Sequence, residues 1–125
     1  IYRSVWYCLS MDHLQTTRMF KALGDPTRLN IFQFLRGCCH EVAVGESGEV
    51  RPVEGPTVGE VCCQISGERK ITTSMSFHLK ELRLAGLIQM DRRGKNMICR
   101  VDPKAVEALS RFFLTNPGQQ DSDCC

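Results

Sequence analysis

The chain has 125 residues, 42% hydrophobic and 24% charged, with a formal net charge of +2. That length supports one compact core and excludes a second, and the composition excludes wholesale disorder. A total so close to neutral says little about polyanion binding, because a nucleic-acid footprint is a local patch of basic residues.

Residues 1–11 read as an N-terminal extension with no assigned function. No charged stretch followed by an apolar one opens the chain, and no apolar run approaches the length of a membrane span. The expectation is a cytoplasmic protein with no membrane partner. Asp12 to Leu23 is predicted helical, with Leu14, Met19, Ala22 and Leu23 available for packing and Gly24 as its stop. Asp25-Pro26 then restarts a helix. A capping carboxylate precedes a proline whose fixed φ and missing N–H suit the first turn, and Leu29, Ile31, Phe32 and Leu35 form an apolar arc over 26–36.

After Gly37 the period changes. Val42, Val44 and Val50 flank Gly45-Glu46-Ser47-Gly48, which predicts a short surface hairpin. Thr57 caps the next helix, with Glu60 completing a capping box and Val58, Val61, Cys62 and Ile65 on its inner face. A turn over 66–70 leads to a helix from about Thr72 to Ala85, with Met75, Leu79 and Leu82 inward and Gly86 as its stop. Ile88 and Met90, then Met97, Cys99 and Val101, alternate around Arg92-Arg93-Gly94-Lys95, a basic-tipped hairpin. Asp102-Pro103 repeats the cap-plus-proline start, and Val106, Leu109 and Phe113 stripe the last helix. Residues 116–125 are a polar tail. The fold class predicted for 12–115 is mainly α with a small β wing: a winged helix-turn-helix in which a hairpin insert separates the first two helices from the next two.

The residues that carry this pattern also resemble a family. FKALGDPTRLNIFQFL (Phe20 to Leu35), TVGEV (Thr57 to Val61), SFHLKELRLAGLI (Ser76 to Ile88) and DRRGKNMICRVDP (Asp91 to Pro103) are similar to the ArsR/SmtB family of metal-sensing repressors. The resemblance implies a homodimer through the first and last helices and ligand-controlled release of double-stranded operator DNA. Three departures bear on function. The last helix lacks the histidine of zinc-type members, and Thr57-Val58-Gly59-Glu60 stands where the family's Cys-Val-Cys-Asp box lies. The segment Cys38 to Pro56 and the turn Ser66 to Lys70 are longer than usual. An enzyme is not expected: no CxxC, phosphate-binding glycine loop or nucleophile–base–orienter set can be read.

On the predicted 72–85 helix, Thr73, Ser74, Ser76 and Phe77 are the candidates to lie at or near bases, and His78 and Lys80 near phosphates. Phe77 has a second reading, packed on the wing or on a turn. Arg92, Arg93 and Lys95 suit a minor groove or phosphates, against the plainer reading of a solvated hairpin tip.

Six of the eight cysteines are adjacent pairs, Cys38-Cys39, Cys62-Cys63 and Cys124-Cys125. Neighbouring cysteines close no long loop, so a secreted disulfide framework is not indicated and the thiols are left for metal, metalloid or redox chemistry. Cys38 and Cys39, at the mouth of the insert, are the first ligand candidates for trivalent arsenic or antimony, with Cys63 as the third. Cys62 is less secure, because it falls where the helix-turn-helix needs a small inward residue. Cys99 reads as core. Cys124-Cys125 is the second site hypothesis, and His40 beside Cys39 permits a weaker zinc reading. No constitutive cofactor is expected. The rival mechanism on the same scaffold is thiol oxidation, with a pair such as Cys39 and Cys63 forming a disulfide.

If each protomer neutralises about three phosphates, the dimer's DNA affinity should fall with salt at a log–log slope of about −5. Arg92→Ala with Arg93→Ala should weaken binding and flatten that slope in a filter-binding titration; an unchanged slope would leave the wing tip as a solvated turn.

Overall fold

Each helix after the first begins where a side-chain oxygen receives an otherwise orphaned backbone N–H. The computed structural model describes residues 11–38, 43–44, 50–51 and 55–115. In chain order its elements are α1 (Met11–Leu23), α2 (Pro26–Gly37), β1 (Ala43–Val44), β2 (Val50–Arg51), α3 (Val58–Ser66), α4 (Thr73–Leu84), β3 (Ile88–Arg93), β4 (Asn96–Val101) and α5 (Pro103–Leu114). Asp25 accepts from the N–H of Arg28 (3.1 Å), Thr57 from Glu60 (3.1 Å), Thr72 from Met75 (3.1 Å) and Asp102 from Lys104 (3.0 Å). Caps of this kind are each worth about 1 kcal/mol. The chain turns where the sequence says it should, and the architecture is the winged helix-turn-helix.

The core gathers one face from each element. Ile31 and Leu35 of α2, Val61 and Cys62 of α3, Leu79 and Leu82 of α4, Leu87, and Cys99 of β4 are fully buried. Each large aliphatic side chain so buried contributes about 1.5–3 kcal/mol. The inward rows predicted for α3 and α4 are the observed ones. Leu29 departs from prediction and stands exposed, because Ile31, Phe32 and Leu35 define a face that Leu29 lies well around the helix from. Leu14, Met97 and Phe113 are exposed as well.

The wing is an antiparallel pair in register from Ile88↔Val101 to Arg93↔Asn96. Its strands run further than the alternation predicted, so Arg92 and Arg93 end β3 and the turn is Gly94-Lys95 alone. Gly94 takes φ +62°, which suits a type II′ turn with glycine first. The other edge of β4 is also paired. The Cys99 N–H donates to the Pro56 carbonyl (2.8 Å), Thr57 bridges Ile98, and Gly55 lies against the Cys99 carbonyl so closely that a Cβ has no room. The 55–57 segment therefore covers Ile98, which period-2 alternation alone would leave outside. In the insert, Ala43 pairs with Arg51 and Val44 with Val50, as a hairpin there requires; Val42 and the 45–49 turn lie outside the described residues.

Two thiols are part of this core. Burial pushes the Cys99 thiol up to about 11, with the neighbouring Cys62 thiol adding to the shift, and burial raises the Cys62 thiol too. Both stay protonated at neutral pH, where only thiolates attack alkylating agents. Iodoacetamide at pH 7 should modify exposed Cys63 in the native protein and reach Cys62 and Cys99 only in denaturant, as read by peptide mass. Rapid native labelling of Cys99 would contradict the placement.

Candidate DNA interface and thiol positions

With Met75, Leu79 and Leu82 turned into the core, the helical period sends Thr73, Phe77 and Leu84 to the opposite side of α4. Ser74, Ser76 and Lys80 flank them, all exposed. Phe77 is 53% exposed. Its ring meets the His78 ring edge-on at 6.0 Å and, among the described residues, packs on no other ring. So large an apolar group on a hydroxyl-bearing helix surface is a costly residue to leave in water, and a thymine methyl is one partner that would cover it.

His78 is placed differently from the expectation that it lies near phosphates. Its side chain is 16% exposed, with Nδ1 3.8 Å from Asp25 Oδ2 and 3.5 Å from Arg28 Nη1. The reason is spacing: position 78 is three residues after Met75 and four before Leu82, which carries it to the α2 side of α4. There it meets the cap of α2. Arg28 Nε also donates to the Ala22 carbonyl at 2.7 Å, so one guanidinium joins the end of α1 to the middle of α4. The Asp25 carboxyl is held below the ordinary carboxylate range, chiefly by the Arg28 backbone N–H and further by the His78 and Arg28 charges. A second tie runs from Gln15 Nε2 of α1 to the Ala85 carbonyl at the end of α4 (2.7 Å).

At the wing, Arg92, Arg93 and Lys95 are exposed. The acid beside them is occupied: Asp91 accepts from Arg100 at 2.6 Å, and Arg100 also donates to Gln89 at 3.1 Å. The tip thus presents cations with its adjacent carboxylate neutralised from behind, an arrangement suited to phosphate. α4 and the wing share one surface, because Ser76, Lys80 and Arg83 line a cleft with Met90 and Met97. Arg83 is the member of this row that is not among the residues expected from the sequence to meet DNA. Ser76, Lys80 and Arg83 recur at i, i+4 and i+7, a spacing that signals one helix face.

The thiols separate. Cys38 is half-buried at the end of α2, where its N–H bonds the Leu35 carbonyl at 3.1 Å. Adjacent positions on a helix point about 100° apart, so Cys62 enters the core while Cys63 faces solvent. Cys39, His40, Cys124 and Cys125 lie outside the described residues. Among the described residues no three His, Cys, Asp or Glu side chains gather to hold a metal ion, and no helix is long and apolar enough to cross a membrane.

No protein-family model matches the chain. It is 32% identical over 103 residues to YbzH, an uncharacterized HTH-type transcriptional regulator of Bacillus subtilis (strain 168); the match spans 82% of this chain and 98% of the relative. Among solved structures it is similar to an ArsR family transcriptional regulator, with a TM-score of 0.58 and 20% identity over 79% of this chain and 88% of that one. It is also similar to a possible transcriptional regulator for arsenical resistance, with a TM-score of 0.52 and 25% identity over 77% of this chain and 79% of that one. Capped helix-turn-helix, arginine-tipped wing and likeness over 98% of an HTH-type regulator agree, and the chain belongs to the HTH-type transcriptional regulators, with the winged-helix fold that an ArsR family regulator also has.

Proposed function

We propose that the protein is a dimeric repressor that reads operator DNA with α4 and the wing and is released by a thiophilic ion, trivalent arsenic or antimony, on cysteine thiolates. The observation that carries the DNA reading is the exposed side of α4, which sets out Thr73, Ser74, Ser76, Phe77 and Lys80, with Ser76 and Lys80 lining a cleft that Met90 and Met97 of the wing complete and with Arg92 and Arg93 exposed at the end of β3. Hydroxyls and an aromatic suit base edges and thymine methyls, and the cations suit phosphates. His78 has a positioning role from within.

The dimer reading rests on the α1–α5 face. Phe20 of α1 meets Phe112 and Phe113 of α5 edge-on, at centroid distances of 5.1 and 5.7 Å. Phe113 is nonetheless 71% exposed and Leu114 84%. A second copy of the same face would cover this aromatic patch in a two-fold arrangement, which in turn matches an inverted-repeat operator.

For the inducer, the supporting facts are the accessible Cys63 on α3, Cys38 at the end of α2, and the direct packing of α2 on α3. Cys39 follows Cys38 in sequence and would supply the third sulfur, while buried Cys62 serves the core. Soft thiolates select soft acceptors, and the chain's likeness to a possible transcriptional regulator for arsenical resistance points the same way. An ion drawing α2 and α3 together would disturb the seat of α4, and a coupling of about 1–3 kcal/mol suffices for release. Cys124-Cys125 is the second candidate site. Exposed Cys63 also favours a second reading, in which oxidation joins it to Cys39 as a disulfide.

Arsenite under reducing conditions should lower operator affinity about 5- to 150-fold, and Cys39→Ser should keep DNA binding while abolishing the response in a mobility-shift titration. Release by peroxide and not by arsenite would select the oxidation reading. An arsenite-responsive Cys39→Ser variant would move the site to the tail.

A further inference from the structure

A cleft lies between α4 and the wing, lined by residues of both. Its volume is about 470 Å³, within the range of small-molecule pockets. Leu79 and Met90 lie at its base, and Ile71 and Met97, 53% and 37% exposed, stand at its rim. Lys80 and Arg83 bring two cations to the same cleft from successive turns of α4, and no acidic side chain lines it. Neither cation has an ion-pair partner among the described residues.

We propose that this cleft binds a small amphipathic anion, a carboxylate on an apolar aliphatic body, and that its occupation competes directly with DNA. The chemistry is divided as such a ligand is. Arg83 offers a planar fork that matches a carboxylate and Lys80 a second charge beside it. The apolar base and rim receive the hydrocarbon, with methionine side chains flexible enough to fit bodies of different shape. A bare phosphate would use the cations and leave Ile71, Met90 and Met97 uncovered. Because Ser76 and Lys80 line the cleft and also belong to the proposed reading surface, an occupant would obstruct DNA without any conformational relay. Anion binding stands on the cleft alone; the competition rests on α4 being the reading helix.

Octanoate is a suitable probe, with octylamine and octanol as controls of opposite and zero charge, titrated into the whole protein at constant ionic strength. Amide resonances along 76–83 and near 90 and 97 should shift saturably with octanoate, with affinity at least about tenfold above either control. Lys80→Gln with Arg83→Gln, both exposed positions, should lose about tenfold or more in octanoate affinity with an unchanged circular dichroism spectrum. Met97→Glu, which sets an acid at the rim, should weaken binding as well. Octanoate should raise the protein concentration needed to half-saturate a DNA fragment, while inorganic phosphate at equal ionic strength should not. The absence of a saturable shift at the cleft, equal binding of octylamine, or undiminished binding by the double variant would each overturn the site. DNA retained with octanoate bound would overturn the competition. The shift titration needs neither DNA nor thiols, so its failure is distinct from failure of arsenite release.

Discussion

The seat of α4 rests on one polar junction with α2 and the end of α1. Asp25 caps α2 and, with the same carboxylate, faces His78 on α4 at 3.8 Å. Arg28 lies beside both and fastens to the end of α1 through the Ala22 carbonyl. Apolar packing of Leu79 and Leu82 holds α4 to the core but is non-directional; hydrogen bonds of fixed geometry add rotational register. Register matters here because a rotation of α4 by one residue would carry Phe77 toward the protein and His78 outward. The Gln15 bond to the Ala85 carbonyl restrains the far end of the same helix directly from α1, while the link from Ala22 reaches His78 only through Arg28 of α2.

The wing depends on a separate restraint. Pro56 and Thr57, immediately before α3, pair with β4, so the start of the helix-turn-helix and the hairpin share backbone hydrogen bonds. Cys62 and Cys99 lie within the core joined by that contact, which explains why two of the eight cysteines behave as small apolar residues. Cys63, one position from the core thiol, is where α3 meets solvent. Cys63 therefore stands on an element that packs directly on α2 and on β4, and α2 in turn packs on α4.

The elements were legible because they are written in local chemistry: three capping side chains, Asp25, Thr57 and Asp102, two prolines at N1 and inward rows at helical spacing all appear in the fold. What the sequence hid was set by neighbours distant along the chain. Ile98 is buried by the 55–57 segment rather than by its place in the strand period. Phe113 was read as a core-facing stripe residue, yet it joins an aromatic patch left open on α1 and α5. His78, three residues after Met75 and four before Leu82, is turned toward α2 and the Asp25 cap. Arg83 lines the cleft in the same row as Ser76 and Lys80. The thiol candidates divide along the same line, since burial of Cys62 follows from its helix face while the surroundings of Cys39 depend on the insert.

If α4 and the wing tip together form the surface that DNA occupies, adding a promoter fragment should perturb amide and methyl resonances over Thr73 to Lys80 and over Arg92 to Lys95, and leave the side chains of Phe112 and Phe113 undisturbed. Perturbations confined to the α1–α5 face, with α4 unchanged, would contradict it.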